Sequence, residues 1–329
     1  MSATKKLMGH VYAIFTILVW GSCFVLTKEL LTAYTAVQII PLRMGLAYLT
    51  LWVLRPKTMK LPWKDELMFI LIGITGGSFY FFLQNTALTY TYAANVSIIV
   101  AAAPIFTAIL AHFAGEERFR RNTLWGFLVA FTGVVLVVCN GTFVLKLNPR
   151  GDLLALGAAA SWAVYSVLVR KLGQGTDPVL VTRRTLFWGI LTALPMVLPE
   201  GKTYPTAPLL TPVVAGNFLF LGLVGSGLCY VLWNKAFRLL GVVATNNFIY
   251  LTPFITIVTA RLFLDEPISP LALLGAILIT IGVVVSQWAP KKAAKATQTK
   301  SAERFAPRTL FYLGLNCRLP STRPPMPFT

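Results

Sequence analysis

Apolar residues form long runs between positions 9 and 288, and most charged residues lie in the short segments between these runs. A run of about 17 to 25 apolar residues is long enough to cross a bilayer as a helix. Such helices are expected at 9–27, 36–54, 66–84, 92–113, 123–139, 153–170, 179–198, 213–233, 243–263 and 270–288. A backbone in hydrocarbon must satisfy its own hydrogen bonds, and strands of alternating polarity are missing from the pattern, so helices are predicted throughout.

The composition agrees with a membrane protein, because 56% of the residues are hydrophobic and only 12% are charged. The basic residues that give the net charge of +18 lie mostly between the apolar runs or in the last segment. Residues 289–329 contain eight Lys and Arg residues against Glu303 alone and are read as a basic, disordered cytoplasmic tail. Membrane lipid is therefore an expected partner and nucleic acid is not.

The basic residues also predict orientation, because Lys and Arg favour the cytoplasmic side in short loops. With the N-terminus inside, thirteen basic residues near the span ends face the cytoplasm. Four face the other side: Lys28, Lys146, Arg150 and Lys202. The expected location is the bacterial cell membrane, with multiple spans and both termini cytoplasmic.

An internal duplication runs through the apolar part of the chain. The segment 9–30 matches 151–172, with Trp20 on Trp162 and Lys28 on Arg170. Further on, positions 73–133 match 222–282; the paired residues include Gly76 with Gly225, Asn85 with Asn234, Pro104 with Pro253, and Glu117 with Glu266. The ten predicted spans divide into five for each copy. Because five is an odd number, the second copy enters the membrane from the opposite face.

The predicted fold is therefore an all-α integral membrane protein of about ten transmembrane helices, arranged as two inverted five-helix repeats (5+5). The expected divisions are a cytoplasmic N-terminus at 1–8, a first repeat at 9–141, a second repeat at 151–288 and the tail at 289–329. Two oppositely oriented halves can exchange conformations, which favours alternating access.

Motifs repeated in the same order in both halves resemble EamA-type members of the drug/metabolite transporter superfamily. They are Trp-Gly-Ser in the first helix, the Pro-centred fourth and ninth helices that end in Gly-Glu-Glu and Asp-Glu-Pro, and the Gly-x6-Gly helices that follow. The resemblance implies cytoplasmic termini and a central cavity lined mostly by helices 1, 3, 4, 6, 8 and 9. It does not fix the solute, since the family handles amino acids, other metabolites and drugs.

Arg43 is the most costly residue in a predicted span, because an arginine at a helix centre costs about 2.5 to 3.5 kcal/mol on insertion scales. One interpretation is a contact with an anion or carboxylate; the other is a buried or snorkelling helix-end charge paired with carbonyls. Other polar and aromatic residues on predicted helix faces could line a solute site or could simply pack helices together. The candidates for substrate binding are Trp20, Thr27, Arg43, Tyr80, Gln84, Asn95, Trp162, Tyr165, Ser166, Tyr230, Asn246 and Tyr250.

Pro104 and Pro253 remove helix hydrogen bonds and are candidate hinges, although static kinks would show the same pattern. All eleven acidic residues fall at span ends, in loops or in the tail, so no carboxylate is expected near the membrane centre. Neither a metal site nor a cofactor is predicted, because His, Cys and acids form no cluster and no nucleotide-binding loop occurs.

These observations favour a secondary transporter that moves a small metabolite, such as an amino acid or a related amphipathic compound. Efflux as the direction of transport is what the resemblance to the EamA-type family implies. The alternatives are an integral membrane enzyme acting on a lipid, which would need an acid, base or nucleophile cluster, and a receptor or scaffold without transport. The expected partner is a small-molecule solute, and a homodimer is compatible with this interpretation.

Overall fold

The computed structural model describes residues 3–57, 61–113, 149–172, 176–200, 204–267 and 270–287, with isolated positions between 122 and 136. Every regular element in these ranges is helical. The α-helices are α1 (Ala3–Leu30), α2 (Ile39–Leu54), α3 (Trp63–Gly73), α4 (Phe79–Tyr90), α5 (Ala93–Val100), α6 (Ala103–Phe113), α7 (Pro149–Lys171), α8 (Pro178–Val197), α9 (Pro212–Leu219), α10 (Cys229–Leu240), α11 (Val242–Asn246), α12 (Thr252–Leu264) and α13 (Pro270–Gln287).

The helices follow the apolar runs closely, and in the described ranges six are long and apolar enough to cross a membrane. These six are Thr4–Leu30, Trp63–Tyr90, Ala93–Phe113, Pro149–Lys171, Pro212–Leu240 and Val242–Leu264, and two shorter apolar helices are Ile39–Leu54 and Leu273–Gly282. The prediction of an all-α membrane protein is confirmed. The span predicted at 123–139 lies largely outside the described residues, although Trp125, Gly126 and Ala130 are helical.

Two π-helical segments interrupt two of the long helices. Residues Ile74–Ser78 join α3 to α4, and Phe220–Leu228 join α9 to α10. The duplication matches these segments to each other, since a shift of 149 carries 74–78 onto 223–227. A π segment departs from the usual i to i−4 bonding, and side chains of other helices here bond to its carbonyls. The Ser161 hydroxyl donates to the Thr75 carbonyl at 2.8 Å, and the Tyr230 hydroxyl donates to the Gly76 carbonyl at 2.6 Å.

Two more of the six long helices, Ala93–Phe113 and Val242–Leu264, are each divided shortly before a proline. Ala101 and Ala102 separate α5 from α6, which contains Pro104 in its first turn. A 3₁₀ segment, Asn247–Leu251, separates α11 from α12, which has Pro253 near its start. A proline in a first turn lacks an N–H group that would have no helical partner there. Each candidate hinge thus lies directly after an interruption of the α-helix. Hinge motion at Pro104 and Pro253 remains a prediction.

Close helix contacts at glycines explain several of the matched pairs. A Cβ atom on Gly282 would lie 2.5 Å from the Gly126 carbonyl oxygen, and one on Gly133 would lie 2.6 Å from the Gly275 carbonyl oxygen. These four glycines are partners in the duplication, Gly126 with Gly275 and Gly133 with Gly282. Small residues let two backbones approach in this way.

Buried carboxylates among the described residues lie at helix ends, in agreement with the sequence. Glu66 is in the first turn of α3 and forms an ion pair with Arg184. Glu266 follows α12 and forms an ion pair with Lys28. Both carboxylates are buried.

Candidate solute cavity

A small cavity of about 40 Å³ lies among helices from both halves of the chain, and this is room for roughly three water molecules. Its lining residues are Trp20, Cys23, Phe24, Arg43, Tyr80, Phe81, Gln84, Ser97, Val100, Ala103, Trp162, Tyr230, Ile249 and Thr252. Val100 and Ala103 flank the break between α5 and α6, and Ile249 and Thr252 lie at the matching break before Pro253. The cavity therefore adjoins both irregular segments.

Aromatic rings form one wall of the cavity. The ring centroids of Trp20 and Trp162, which occupy matched positions in the duplication, are 5.2 Å apart with ring planes at 87°. Tyr230 lies 5.6 Å from Trp20 and 5.9 Å from Trp162, again edge to face. Edge-to-face contacts at such distances are favourable for aromatic rings. The result is a compact apolar wall to which both halves contribute.

The π segments help to orient this wall. The Trp20 indole N–H donates to the Gly225 carbonyl oxygen at 2.9 Å. The Tyr230 hydroxyl donates to the Gly76 carbonyl, which is the matched position in the first half. Each ring is thus held by a carbonyl from a π-helical segment, and their polar groups are satisfied within the bundle.

Arg43 contributes the only formally charged side chain among the residues that line the cavity. It is 2% exposed, lies in the second turn of α2, and its Nε donates to the Ser226 Oγ at 3.0 Å. Its guanidinium carbon lies 4.1 Å from the centroid of the Phe81 ring. The Nη1 atom is buried and has no hydrogen-bond partner. The side chain is therefore anchored at one nitrogen, stacked on one ring and unpaired at another nitrogen.

Two of the sequence-predicted residues lie behind the cavity wall. The Tyr165 ring is 4.8 Å from that of Trp162, and its hydroxyl donates to the Asn234 Oδ1 at 3.3 Å. The Asn246 Oδ1 accepts a bond of 3.4 Å from the Trp162 indole N–H, and its amide donates to the Thr107 hydroxyl at 3.3 Å. Both residues support Trp162 and do not line the cavity.

The remaining candidates fall into two groups. Trp20, Arg43, Tyr80, Gln84, Trp162 and Tyr230 line the cavity, whereas Thr27, Asn95, Ser166 and Tyr250 do not. The Asn95 amide donates to the hydroxyl of Thr91, which lies between α4 and α5, and the Ser166 hydroxyl donates to the Trp162 carbonyl. Thr27 and Tyr250 are buried.

Sequence reasoning missed several apolar lining residues, among them Phe24, Phe81, Val100, Ala103 and Ile249. An apolar side chain in a membrane helix carries the same signal whether it lines a cavity, packs against a helix or faces lipid. The sequence offered a signal for Phe81 alone among these residues, because it lies next to Tyr80 and near Gln84, which were both candidates for substrate binding.

A multi-span helical bundle with an internal cavity built from two matched sets of helices is an architecture of membrane transport proteins. The sequence profile of the EamA-like transporter family matches residues 7–139 and again 149–288. The chain belongs to the EamA-like transporter family, which confirms the resemblance drawn from its motifs.

Curated relatives match over most of their lengths. A protein of Archaeoglobus fulgidus named as an uncharacterized transporter is 27% identical over 84% of this chain and 96% of its own. A probable terminal-alkyne amino-acid exporter of Streptantibioticus cattleyicolor is 27% identical over 85% of this chain and 94% of its own. A probable amino-acid metabolite efflux pump of Salmonella typhimurium is 26% identical over 83% of this chain and 93% of its own.

A solved crystal structure is also similar to this chain. It matches 87% of this chain and 98% of its own, with a TM-score of 0.61 and 20% sequence identity. At that identity the likeness concerns the fold.

Proposed function

We propose that this protein is a secondary transporter that exports a small amphipathic metabolite across the cell membrane. The observation that carries the proposal is the cavity whose aromatic wall joins Trp20 to Trp162, matched residues of the two halves. A wall to which both halves contribute changes when the halves move, so solute binding and conformational change would be coupled. Two relatives named for amino-acid or metabolite export support this class of solute and this direction.

The proposed mechanism is alternating access of two inverted five-helix repeats, at 9–141 and 151–288, with about ten helices in all. The matched π segments, the matched helix breaks before Pro104 and Pro253, and the matched glycine contacts support such a pseudo-symmetric arrangement. In the orientation that the basic residues predict, both termini and the basic tail at 289–329 are cytoplasmic. The end of the bundle where α1 finishes then faces outward.

A direct test is solute flux into proteoliposomes. A thermal-shift screen of amino acids and carboxylates on the purified protein first selects compounds that stabilise it, because ligands that bind the folded form raise its apparent stability. Radiolabelled forms of these compounds should then show saturable counterflow in proteoliposomes and none in protein-free liposomes. Absence of protein-dependent flux for every stabilising compound would reject transport in favour of a receptor role.

Two tryptophan variants make the test specific to the cavity. Trp20→Ala should lower flux about tenfold, since a central aromatic contact contributes around 1.4 kcal/mol or more to binding. Trp52→Ala removes the same side chain from α2 at a position that is 47% exposed and outside the cavity, and should leave flux near wild type. Equal flux from both variants would show that the cavity is not the solute site.

A further inference from the structure

The charge balance of the cavity bears on the chemical class of solute. Arg43 lines the cavity, and none of the lining residues is acidic. The ion pairs found in the described part of the chain use other cations, Lys28 with Glu266, Arg55 with Asp177, and Arg184 with Glu66. A buried guanidinium without a counter-charge is unfavourable unless something else compensates it.

The environment of Arg43 compensates only part of its charge. The Ser226 hydroxyl accepts one hydrogen bond, and the Phe81 ring stacks near the guanidinium carbon. These neutral groups leave the buried Nη1 without an acceptor. A guanidinium presents donors in a planar fork that suits a carboxylate. An anionic ligand group beside Arg43 would satisfy both the unpaired donor and the unpaired charge.

From this we infer that the cavity, widened beyond its present 40 Å³ when the two halves move, selects a monocarboxylate with an apolar body. Arg43 would hold the carboxylate, and Trp20, Trp162 and Tyr230 would contact the body. A single cation balances one negative charge, so a dianion would leave an excess. A zwitterionic amino acid would bring an ammonium group near Arg43 with no acidic lining residue to receive it. The inference rests on the proposed transport function and narrows it from amphipathic metabolites to this class.

Four compounds that carry different polar groups on the same five-carbon 3-methylbutyl chain test the charge preference. They are 4-methylpentanoate (an anion), L-leucine (a zwitterion), 3-methylbutylamine (a cation) and 4-methylpentanamide (a neutral amide). Binding of each to the full-length protein in detergent can be measured by isothermal titration at pH 7. The carboxylate should bind about tenfold or more tightly than the amine and the amide, since a charge-assisted bond is lost in both. L-Leucine should also bind more weakly than the carboxylate.

Variants assign the preference to Arg43. Arg43→Gln should abolish the advantage of 4-methylpentanoate over 4-methylpentanamide, while Arg43→Lys, which keeps the charge without the fork, should retain part of it. Arg183→Gln is the matched control. The Arg183 guanidinium is also largely buried, but it donates to the backbone carbonyls of Arg55 and Lys57 and does not line the cavity. Size-exclusion profiles establish that each variant is folded.

The order of the affinities of the wild-type protein for the four compounds decides the proposal even if Arg43→Gln fails to fold. The inference is overturned if wild type does not bind 4-methylpentanoate, if it binds L-leucine or the amine equally well, or if folded Arg43→Gln keeps the carboxylate preference. Carboxylate binding that depends on Arg43, together with no flux in proteoliposomes, would support this inference and reject the transport proposal. The two proposals therefore fail separately.

Discussion

The ammonium group of Lys28, at the end of α1, lies 3.0 Å from a carboxylate oxygen of Glu266, just beyond α12. The same carboxylate accepts hydrogen bonds from the backbone N–H groups of Ala93 and Ala94 at 2.9 and 3.3 Å, where α5 begins. Lys28 also donates to the Thr91 carbonyl at 2.8 Å. A helix N-terminus favours a negative charge, so one carboxylate joins three helix ends from both halves of the chain.

Breaking this junction should open the end of the bundle where α1 finishes. Cys23 is a native reporter, because it lines the cavity and is buried. In a background with Cys139, Cys229 and Cys317 changed to Ala, Glu266→Ala should speed labelling of Cys23 by an external, membrane-impermeant methanethiosulfonate. Loss of a charge-assisted bond predicts an increase of about tenfold.

A comparable ion pair at the other end of the bundle is the control for that experiment. Arg55 pairs with Asp177, which also caps α8. Asp177→Asn should leave external labelling of Cys23 unchanged, because it acts where α2 ends and α8 begins. An unchanged labelling rate in Glu266→Ala would contradict the assignment of the Lys28–Glu266 pair as a closing contact.

Glycines in the π segment are expected to be structurally essential. A Cβ atom on Gly76 would lie 2.2 Å from the Tyr165 ring, which is fully buried. Gly76→Ala should therefore lower the free energy of unfolding by about 1 to 3 kcal/mol through overpacking. Gly45→Ala in α2 is the matched control, since nothing lies within 4 Å of its added Cβ. Thermal unfolding followed by tryptophan fluorescence should show a lower Tm for Gly76→Ala alone; a similar fall in both variants would refute the packing explanation.

The helices themselves could be predicted from the sequence because crossing hydrocarbon requires long apolar runs, a requirement that leaves few alternatives. Arg43 could be singled out for the same reason, since a charge inside a span is costly. The structure shows that Arg43 lines the cavity, and its contact with a solute stays a prediction. Trp20 and Trp162 were identifiable as a pair from the duplication, although only the structure shows that their rings meet.

The details of the cavity wall could not be predicted, because they depend on local changes of helical winding. A face extrapolated at 100° per residue is shifted by a π segment or a 3₁₀ turn. Ile249, within the 3₁₀ segment, lines the cavity, whereas its neighbour Tyr250, chosen for its polar group, does not. The sequence of residues 73–77 is rich in glycine, which is compatible with close helix packing and does not by itself predict π-helical winding.

The proposed orientation predicts that the α2–α3 and α8–α9 connections lie on opposite sides of the membrane. Lys57 follows α2, whereas Thr206 lies between α8 and α9. In a background without native cysteines, Thr206→Cys should react with an impermeant maleimide added to intact cells. Lys57→Cys should react only after permeabilisation. Labelling of both positions from outside would exclude the proposed topology.

The last prediction concerns Glu66, which joins α3 to α8 at the end where α2 finishes. Its carboxylate accepts hydrogen bonds from the Arg184 guanidinium and from the Trp188 indole N–H. Glu66→Ala leaves both donors without their acceptor, and the loss of one partner from a buried pair costs up to about 3 to 5 kcal/mol. Arg184 is partly exposed, with 32% of its side chain accessible, so water should reduce that cost. Glu66→Gln can still accept from Trp188 and should destabilise less than Glu66→Ala. Asp65→Asn changes the neighbouring carboxylate, which is less buried, and should have little effect on stability. Thermal unfolding of the three variants in the same detergent should therefore give the highest Tm for Asp65→Asn, a lower Tm for Glu66→Gln and the lowest Tm for Glu66→Ala. A Glu66→Ala variant as stable as Asp65→Asn would show that this junction contributes nothing to holding the two halves together.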